Sequence, residues 1–307
     1  MFTEAEYKLH WSSIIDMIDS YTKNELKDMV QYQFKNPGKG FRSLLAIHLC
    51  ETFTIPSSKI YPLCAAIELI HNASLVHDDI EDNDEYRRGM LAAWKKFGIS
   101  NAINLGDYLF TMAFEIVSQK SPLFVDMLSA SIKTLVEGQI REINANSFEL
   151  DGYLEIARKK SGALFTLPLL GAYKLKESTI DMQPLIAFGY NIGEIYQLRD
   201  DIIDMIGQKE GRPKYSDIRE GRFSILNILT YANIEDKNNF RTMLGGNKDN
   251  LLKLYKKHSA LEKAYDLHNE KVLELKNRKI YFEIKPVMDV FLTKLSLPLM
   301  NDDYYGH

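Results

Sequence analysis

The chain has little cysteine, and its spacing indicates neither a disulfide framework nor a zinc site. Only two of the 307 residues are cysteines, Cys50 and Cys64. Each lies in an apolar run that holds no second Cys or His at the spacing of zinc ligands. We therefore expect both to be reduced, buried thiols that pack as small apolar side chains.

Long apolar runs and an excess of positive charge are also missing, and no leader segment is expected. No stretch approaches the roughly 20 apolar residues that cross a bilayer. The start, Met1–Glu6, has neither a basic nor an apolar segment. The sequence thus predicts a cytoplasmic protein with no transmembrane segment. Because 38 Lys and Arg oppose 42 Asp and Glu, for a net charge of -4, no nucleic-acid partner is expected. A polyanionic ligand would need a local cluster of bases or a metal.

Helix breakers are few, and they fall between periodic segments. The 17 Gly and 9 Pro occur mostly in short breaks such as Asn36–Gly38 and Gly211–Pro213. Between the breaks, apolar residues recur at helical spacing, as in Phe41–Leu49, and alternating strand patterns are scarce. No linker rich in Gly, Pro or Ser divides the chain. The prediction is an all-α fold of many helices joined by short loops, in a single domain spanning residues 1–307.

Two copies of the motif Asp-Asp-x-x-Asp stand out among the residues that are present. They are Asp78-Asp79-x-x-Asp82 and Asp200-Asp201-x-x-Asp204. On a helix, residues i and i+4 share a face, about 6 Å apart along the axis. Two like charges about 7 Å apart repel by roughly 2 kcal/mol at an effective dielectric near 20. A solvated acidic face would explain one copy, but two copies in apolar helices indicate a cation site. Magnesium, which combines carboxylate, phosphate and water ligands, fits it.

Basic residues near the clusters indicate what a metal would face. Lys39 and Arg42 lie where a Gly-rich loop enters a helix, whose free N–H groups favour an anion. Arg87 and Arg88 follow the first cluster, and guanidinium groups bind phosphate in a bidentate way. Lys160–Gly162 adds an ammonium and a hydroxyl before an apolar helix. Singly, each is an ordinary surface charge, whereas together they indicate a diphosphate site. Three further bases follow the second cluster, namely Arg212, Lys214 and Arg222.

Two histidines lie near the first aspartate cluster. His71 precedes Asp78 by seven residues, and Ser74 precedes it by four, so the three share a helix face. His71 is either a satisfied core histidine or, as its position beside the metals favours, a donor to a phosphate oxygen. His77 points away from this face and is expected to be structural.

At these positions the sequence resembles the polyprenyl synthetase family, the trans-isoprenyl diphosphate synthases, from about Lys35 to about Asn227. The motifs that carry the likeness are Gly38-Lys39…Arg42, Glu68–His71 leading into the first aspartate motif, Arg87–Gly89, Gly106–Tyr108, Lys160–Phe165, Gln197…Asp204 and Ser216–Arg222. The resemblance implies an all-α isoprenoid synthase bundle around a deep central cavity, and a homodimer. It also implies about three Mg²⁺ ions and two substrates, isopentenyl diphosphate and an allylic diphosphate.

The resemblance also implies roles for individual residues. The principal metal ligands would be Asp78, Asp82 and Asp200, with Asp79, Asp201 and Asp204 in support. The allylic diphosphate would contact Arg87, Lys160, Ser161 and Gln197. Isopentenyl diphosphate would contact Lys39, Arg42, His71 and Arg88. The closing loop would add Arg212 and Arg222 to the substrate contacts. The catalytic set would be Asp78, Asp82, Arg87, Lys160 and Asp200.

Some positions depart from the family pattern. Gly40 stands where the family usually has a base, so one contact on the isopentenyl side is missing. Ser161 replaces the usual Thr and keeps the hydroxyl. Arg212 and Arg222 replace two lysines, and Tyr215 replaces a glycine. These changes affect the geometry of the closing loop and leave the chemistry as expected.

Product length is predicted from the helix that precedes Asp78. Ala73 and Ser74 are small where short-chain synthases usually carry an aromatic stopper. A growing tail would pass them and reach Ile70 or the helix that holds Phe110. The stretch around the first motif is most similar to geranylgeranyl diphosphate synthases of the eukaryotic type. We therefore expect farnesyl diphosphate to be extended to geranylgeranyl diphosphate, with a longer polyprenyl product as the alternative.

Two other classes of protein share parts of this pattern. Class I terpene cyclases usually lack a second Asp-Asp-x-x-Asp motif and the bases on the isopentenyl side. Non-catalytic subunits of heteromeric synthases tend to lose aspartates, whereas this chain has all six. Both remain open as alternatives, and activity of the purified chain alone would separate them from the enzyme.

Overall fold

The computed structural model describes residues 4–36, 38–145, 148–177, 179, 181–207, 223–244, 246 and 248–300. Within these ranges the chain is built from helices, as predicted. The helices of the first half are α1 (Glu4–Tyr21), α2 (Lys27–Phe34), α3 (Phe41–Thr52), α4 (Tyr61–Glu81), α5 (Ala93–Phe97), α6 (Ile99–Lys120) and α7 (Val125–Ile143). Short 3₁₀ turns lie at Asn24–Leu26, Ser57–Lys59 and Pro122–Phe124.

The second half of the chain is also helical, with one irregular turn. Its helices are α8 (Leu150–Ala157), α9 (Ala163–Leu175), α10 (Gln183–Ile206), α11 (Ile225–Tyr231), α12 (Lys237–Met243), α13 (Lys248–Lys257), α14 (Ala260–Lys276), α15 (Lys279–Glu283) and α16 (Lys285–Lys294). Between α8 and α9, residues Arg158–Gly162 form a π-helical turn. Such turns are rare, and they often mark functional sites.

A two-stranded hairpin follows α4. Strands β1 (Tyr86–Arg87) and β2 (Met90–Leu91) pair antiparallel, with Tyr86 opposite Leu91 and Arg87 opposite Met90. Arg88 (φ 51°) and Gly89 (φ 74°) form its turn. Two successive residues with positive φ are what a two-residue hairpin turn requires, and Gly89 adopts this conformation without strain.

Helices α4 and α10, which carry the two aspartate motifs, lie in the core. Helix α4 packs extensively against α6, and α10 packs against α9, α14 and the π turn. Side chains from α10 enter two apolar clusters. Ile192 and Ile195 belong to the larger cluster, formed mostly by α3, α4, α6 and α9. Ile202 and Ile206 belong to a second cluster with α11, α13 and α14. The rigid core thus fixes both motifs.

The two cysteines are free and buried, as predicted. Burial raises the pKa of Cys50 to about 12 and raises that of Cys64 well above its ordinary value. Neither thiol is therefore reactive at neutral pH. Among the helices that the structure describes, none combines the length and the apolar character that a membrane span requires.

Candidate active site

The first aspartate motif ends α4, and its members have different surroundings. Asp79 is buried and accepts a hydrogen bond from Arg87 Nε at 2.7 Å and a second from Arg87 Nη2. Burial raises the pKa of Asp79 to about 6, although Arg87 opposes the shift. Asp78 is half-buried, and Asp82 at the helix end is exposed. Asp78 and Asp82 are therefore the members of this motif that a ligand can reach.

Arg87 is held by two carboxylates that precede the hairpin in the chain. Besides Asp79 it contacts Asp84, whose Oδ2 lies 3.2 Å from Nη2. The indole of Trp94 donates to the backbone oxygen of Asp84 at 2.8 Å, which fixes that segment. The sequence predicted Arg87 as a diphosphate contact, and the structure gives it two carboxylate partners beside the metal motif.

The π turn connects the two aspartate motifs. Lys160 Nζ lies 3.2 Å from Asp78 Oδ1 and also pairs with Glu142 on α7. The next residue, Ser161, donates to Gln197 Oε1 at 3.0 Å. Gln197 in turn donates to Asp201 Oδ1 at 2.9 Å. A single turn of chain thus joins the first motif on α4 to the second motif on α10.

Two glycines allow this turn to sit where it does. A Cβ at Gly193 would lie 2.3 Å from the Cα of Gly162, so only glycine permits the contact between α10 and the π turn. A Cβ at Gly138 would lie 2.6 Å from the backbone nitrogen of Lys160. These close approaches place Lys160 and Ser161 between α7 and α10.

In the second motif, one member serves as an anchor. Asp201 is buried and accepts hydrogen bonds at 2.8 Å from the hydroxyl of Tyr153 and from the backbone nitrogen of Ile225, in addition to that from Gln197. It therefore holds α8 and the start of α11 against α10. Asp204 is also buried, whereas Asp200 is partly exposed. Asp200 is the member of this motif that a ligand reaches most readily.

A group of bases surrounds His71. Burial lowers the pKa of His71 well below its ordinary value, and the nearby guanidinium groups of Arg42, Arg88 and Arg87 lower it further. His71 is thus neutral at physiological pH, with one donor and one acceptor nitrogen. Positive charge concentrated in this way suits a diphosphate.

Arg42 lies against two aromatic rings. Its guanidinium carbon is 4.6 Å from the ring centre of Phe165 and 5.5 Å from that of Tyr196. Burial lowers its pKa, and the neighbouring Tyr196 and Glu68 act in the opposite direction. Such stacking leaves the N–H edge of a guanidinium available to phosphate oxygens.

The hairpin turn brings Arg88 to the loop before α3. Arg88 Nη1 donates to the backbone oxygen of Asn36 at 3.0 Å. A Cβ at Gly38 would lie 2.8 Å from Arg88 Nη2, so this loop passes close to the guanidinium. Lys39 follows in the same loop, and Gly40 (φ 57°) ends it before α3 begins. The predicted contacts of isopentenyl diphosphate, Lys39, Arg42, His71 and Arg88, are therefore brought to one region.

The predicted chain-length residues lie on the facing sides of α4 and α6. Ile70 and Ala73 are fully buried, while Ser74 is half-buried and donates to the backbone oxygen of His71 at 2.8 Å. The ring of Phe110 lies 5.9 Å from that of His77, which packs between the two helices. Their effect on product length stays a prediction.

Sequence reasoning missed two polar residues on α7. Gln139 Nε2 donates to Asp78 Oδ1 at 2.8 Å and to Glu81 Oε2 at 2.5 Å, and Glu142 pairs with Lys160. The two are three residues apart and so share a face of α7. This spacing on one helix face was the feature of the sequence from which the two residues could have been found. Arg212, Lys214, Tyr215 and the whole motif Ser216–Arg222 lie outside the described residues.

The donor set fits a hard divalent cation. Within the described ranges, no three His, Cys, Asp or Glu side chains form a preassembled metal site. The accessible carboxylates are Asp78 and Asp82 on α4 and Asp200 on α10, an all-oxygen set that suits Mg²⁺ when phosphate and water complete the shell. The ammonium of Lys160 at Asp78 shows that this position already attracts a cation. Asp79 and Asp201, predicted as supporting ligands, hold other parts of the protein in this structure.

Known proteins share these features. Residues 23–264 match the polyprenyl synthetase family. The chain is 31% identical to the geranylgeranyl diphosphate synthase of Saccharolobus solfataricus over 291 residues, which cover 85% of this chain and 87% of that protein. It is also 31% identical to the nonaprenyl diphosphate synthase of Mycobacterium tuberculosis over 203 residues, which cover 64% and 61% of the two chains. Relatives thus differ in product length.

Solved structures agree with this grouping. The geranylgeranyl pyrophosphate synthetase of the archaeon Geoglobus acetivorans superposes with a TM-score of 0.83 at 25% identity, covering 97% of this chain and all of that one (100%). A polyprenyl synthase from Caulobacter crescentus, complexed with calcium and isoprenyl diphosphate, superposes with a TM-score of 0.81 at 22% identity, covering 95% and 97%. The all-α isoprenoid synthase fold is confirmed. The chain belongs to the polyprenyl synthetase family and is a prenyltransferase that makes isoprenyl diphosphates.

Proposed function

We propose that the protein condenses isopentenyl diphosphate with farnesyl diphosphate to give geranylgeranyl diphosphate. The observation that carries the proposal is the hydrogen-bonded path from Asp78 through Lys160 and Ser161 to Gln197 and Asp201. It joins both carboxylate motifs at one place, with the bases around His71 on the neighbouring helices. The wider class, synthesis of isoprenyl diphosphates from isoprenoid precursors, rests on the family.

The allylic diphosphate would bind between the two motifs. Lys160 and Arg87 would neutralise part of its charge, and Ser161 and Gln197 would orient it by hydrogen bonds. Mg²⁺, held by Asp78, Asp82 and Asp200, would supply the remaining positive charge that a departing diphosphate requires. Because Lys160 is already paired with Asp78 and Glu142, it is held in place before the substrate arrives.

The second substrate would occupy the basic group around His71. Arg42, Arg88 and Lys39 would hold the diphosphate of isopentenyl diphosphate, and neutral His71 would donate one hydrogen bond. Stacking on Phe165 and Tyr196 fixes the plane of Arg42. A fixed guanidinium loses little side-chain freedom on binding, which favours affinity.

The reaction balances without a protein base. The allylic C–O bond breaks, and C4 of isopentenyl diphosphate forms the new C–C bond, which leaves a cation at C3. A proton then leaves C2, and its electron pair forms the C2=C3 double bond. The departed diphosphate accepts the proton. Apolar walls supplied by α4, α6 and α9 would exclude water, which would otherwise capture the allylic cation. Electrostatic stabilisation of the leaving group is the main catalytic contribution.

Product length is the finer part of the proposal. Ala73 and Ser74 offer little bulk on α4 in front of Ile70, which supports the passage of a farnesyl chain beyond them. The longer product of the Mycobacterium tuberculosis relative makes a longer polyprenyl diphosphate the second candidate. Both candidates use the same chemistry and differ only in how far the tail extends.

The test is an incubation of the purified chain with Mg²⁺, labelled isopentenyl diphosphate and farnesyl diphosphate, followed by separation of the products by length. Geranylgeranyl diphosphate as the main product supports the proposal, and longer products favour the second candidate. Asp78→Asn should abolish the product, whereas Asp126→Asn, at an exposed position on α7, should leave it unchanged. Activity that appears only on addition of a second protein would show a non-catalytic subunit instead.

The assembly and location predicted from the sequence are also proposals. Exposed apolar residues on α6 and α7 support a homodimer: they are Ile99, Ile103, Val136, Ile140 and Ile143. The single domain of residues 1–307 is supported by α10, which contributes to both apolar clusters. Cytoplasmic location stays a prediction of the sequence.

A further inference from the structure

A cavity that is open to solvent is lined by no residue of either aspartate motif. It has a volume of about 460 Å³ and is bordered by α14, the end of α16 and the segment 295–300. Its apolar lining includes Val272, Leu292 and Leu297. Cavities of this size hold small organic ligands in many proteins. The proposed reaction uses no residue of this lining.

A buried histidine without a hydrogen-bond partner lines the cavity. His268 is 2% exposed, and neither ring nitrogen has a hydrogen-bond partner among the residues that the structure describes. Asn269 and the backbone of Leu295 lie beside the ring and favour its charged form, but neither reaches hydrogen-bond geometry. Burial is the larger effect and lowers the pKa of His268 to about 4. The neutral ring thus offers one donor and one acceptor to whatever fills the cavity.

The charges around the cavity favour an anion. Lys276, at the last turn of α14, is at the rim. Asp289, the acidic residue of the lining, is already held by Lys285 and Tyr281. Arg199 on α10 acts electrostatically on His268. Because a buried imidazole without a hydrogen-bond partner destabilises the protein, a ligand that pairs with the ring is favoured.

We propose that this cavity binds an amphipathic anion. A single apolar tail would lie against Val272, Leu292 and Leu297, and the anionic head would accept hydrogen bonds from Lys276 and His268. A cationic head would meet Asp289 as the acidic residue of the lining, which is already held by Lys285 and Tyr281. The site is separate from the prenyl-transfer site and does not depend on its identity.

Calorimetric titration of the full-length protein tests the proposal. Sodium decanoate and decyl phosphate present the two common anionic heads on one tail, and decyltrimethylammonium presents the opposite charge. Mg²⁺ and inorganic diphosphate are included throughout to occupy the prenyl-transfer site. We expect decanoate or decyl phosphate to bind at one site per chain and the cation not to bind. The better of the two anions identifies the preferred head.

Three variants locate the site. Leu292→Trp, which fills the cavity, should abolish binding, and Lys276→Glu should weaken it by at least about tenfold. Leu273→Trp is the matched control, because Leu273 lies on α14 but is 59% exposed and does not line the cavity. Lys276→Glu changes a surface residue, so it keeps the test decisive if Leu292→Trp does not fold. Equal binding of the cation, or unchanged binding in Lys276→Glu, would overturn the proposal. So would binding that appears only after deletion of residues 301–307, since the tail would then be the natural occupant.

The cavity is connected to the helix that carries the second aspartate motif. Arg199 donates from Nε to the backbone oxygen of Ser296 at 3.3 Å, and Asp200 follows it in the chain. A ligand that moves segment 295–300 would therefore act on α10. This part rests on the proposed function and is measured separately, as the elongation rate at saturating decanoate. A changed rate in the wild type that disappears in Arg199→Met supports the link, and an unchanged rate rejects it without affecting the binding result.

Discussion

At the scale of single residues, the aspartates of each motif divide into ligands and anchors. Periodicity placed all six on two helices but gave no means of distinguishing the roles of neighbours. Asp79 and Asp201 are buried; Asp79 is paired with Arg87 of the hairpin, and Asp201 accepts a hydrogen bond from Tyr153 on α8. These partners come from other elements, so only the three-dimensional fold reveals them. The bases were better predicted, because Arg42, Arg88 and His71 do lie together.

Exchanging the two neighbouring aspartates of α10 for asparagine should separate these roles. Asp200→Asn removes an accessible carboxylate, so the Mg²⁺ concentration needed for half-maximal activity should rise at least tenfold, and the loss of stability should be smaller than in Asp201→Asn. Asp201→Asn replaces one of two acceptor oxygens with an amide donor, so at least one of the donors of Tyr153, Gln197 and Ile225 loses its acceptor. It should lower the stability by about 1–3 kcal/mol. Magnesium titrations measure the Mg²⁺ requirement, and denaturant unfolding measures the stability. Equal losses of stability in the two variants would contradict the division into ligands and anchors.

The buried His268 should make stability depend on pH. Its pKa is lowered to about 4 in the folded protein, against about 6.5 when unfolded. Between these values the unfolded chain binds the extra proton, so stability is full above about pH 6.5 and is lost as the pH falls towards 4. The loss contributed by this residue is about 3 kcal/mol. Denaturant unfolding at several pH values should show this loss of stability in the wild type. In His268→Leu the stability should depend less steeply on pH. The same slope in both proteins would contradict the assignment.

The two small residues of α4 should respond differently to enlargement. Ser74 is half-buried, so Ser74→Phe should fold normally and shorten the main product to farnesyl diphosphate when geranyl diphosphate is the primer. Ala73 is fully buried, and Ala73→Phe should destabilise the protein by about 1–3 kcal/mol through overpacking. The product lengths and the unfolding temperatures of the two variants are compared. An unchanged product length in a folded Ser74→Phe would place the tail elsewhere.

At the scale of elements, the helices were predictable and the irregular pieces were not. Apolar periodicity is a local property, and α3 and α4 follow it closely. The hairpin depends on positive φ at Arg88, which is held by Asn36 far away in the chain. The π turn at Arg158–Gly162 depends on contacts with α7 and α10. The hairpin and the π turn both position basic residues of the site. The sequence predicted these basic residues but not the two irregular elements that orient them.

A methyl group at Gly193 should disrupt the π turn. The added Cβ would lie 2.3 Å from Gly162 Cα, so α10 and the turn must separate, and Lys160 and Ser161 would shift with them. Gly193→Ala should cost about 1–3 kcal/mol of stability and reduce kcat at least tenfold. Gly152→Ala is the matched control, because a Cβ there meets nothing within 4 Å on α8. It should stabilise the protein by about 0.5–1 kcal/mol. Unfolding curves measure the stability of both variants, and initial rates measure kcat. A Gly193→Ala variant with unchanged stability and kcat would show that the close contact is not required.

At the scale of the whole molecule, five of the exposed apolar residues lie on two neighbouring helices. Ile99 and Ile103 are one helical turn apart on α6, and Val136, Ile140 and Ile143 share a face of α7, which packs against α6. Ile140 and Ile143 are 55% and 60% exposed. Isolated exposed apolar residues are normal, but several on two neighbouring helices favour an interface between chains. A symmetric dimer would bury these residues on both copies at once.

A charge among these residues should therefore dissociate the protein. Light scattering coupled to size exclusion should give twice the chain mass of 35.4 kDa for the wild type and a single chain mass for Ile140→Glu. Leu273→Glu, at a similarly exposed position on α14, is the control and should remain dimeric. Because α6 and α7 also hold Phe110, Gln139 and Glu142, dissociation should reduce prenyl transfer as well. If the wild type elutes at the mass of one chain at micromolar concentration, these residues face solvent or another partner, and the active site is complete within one chain.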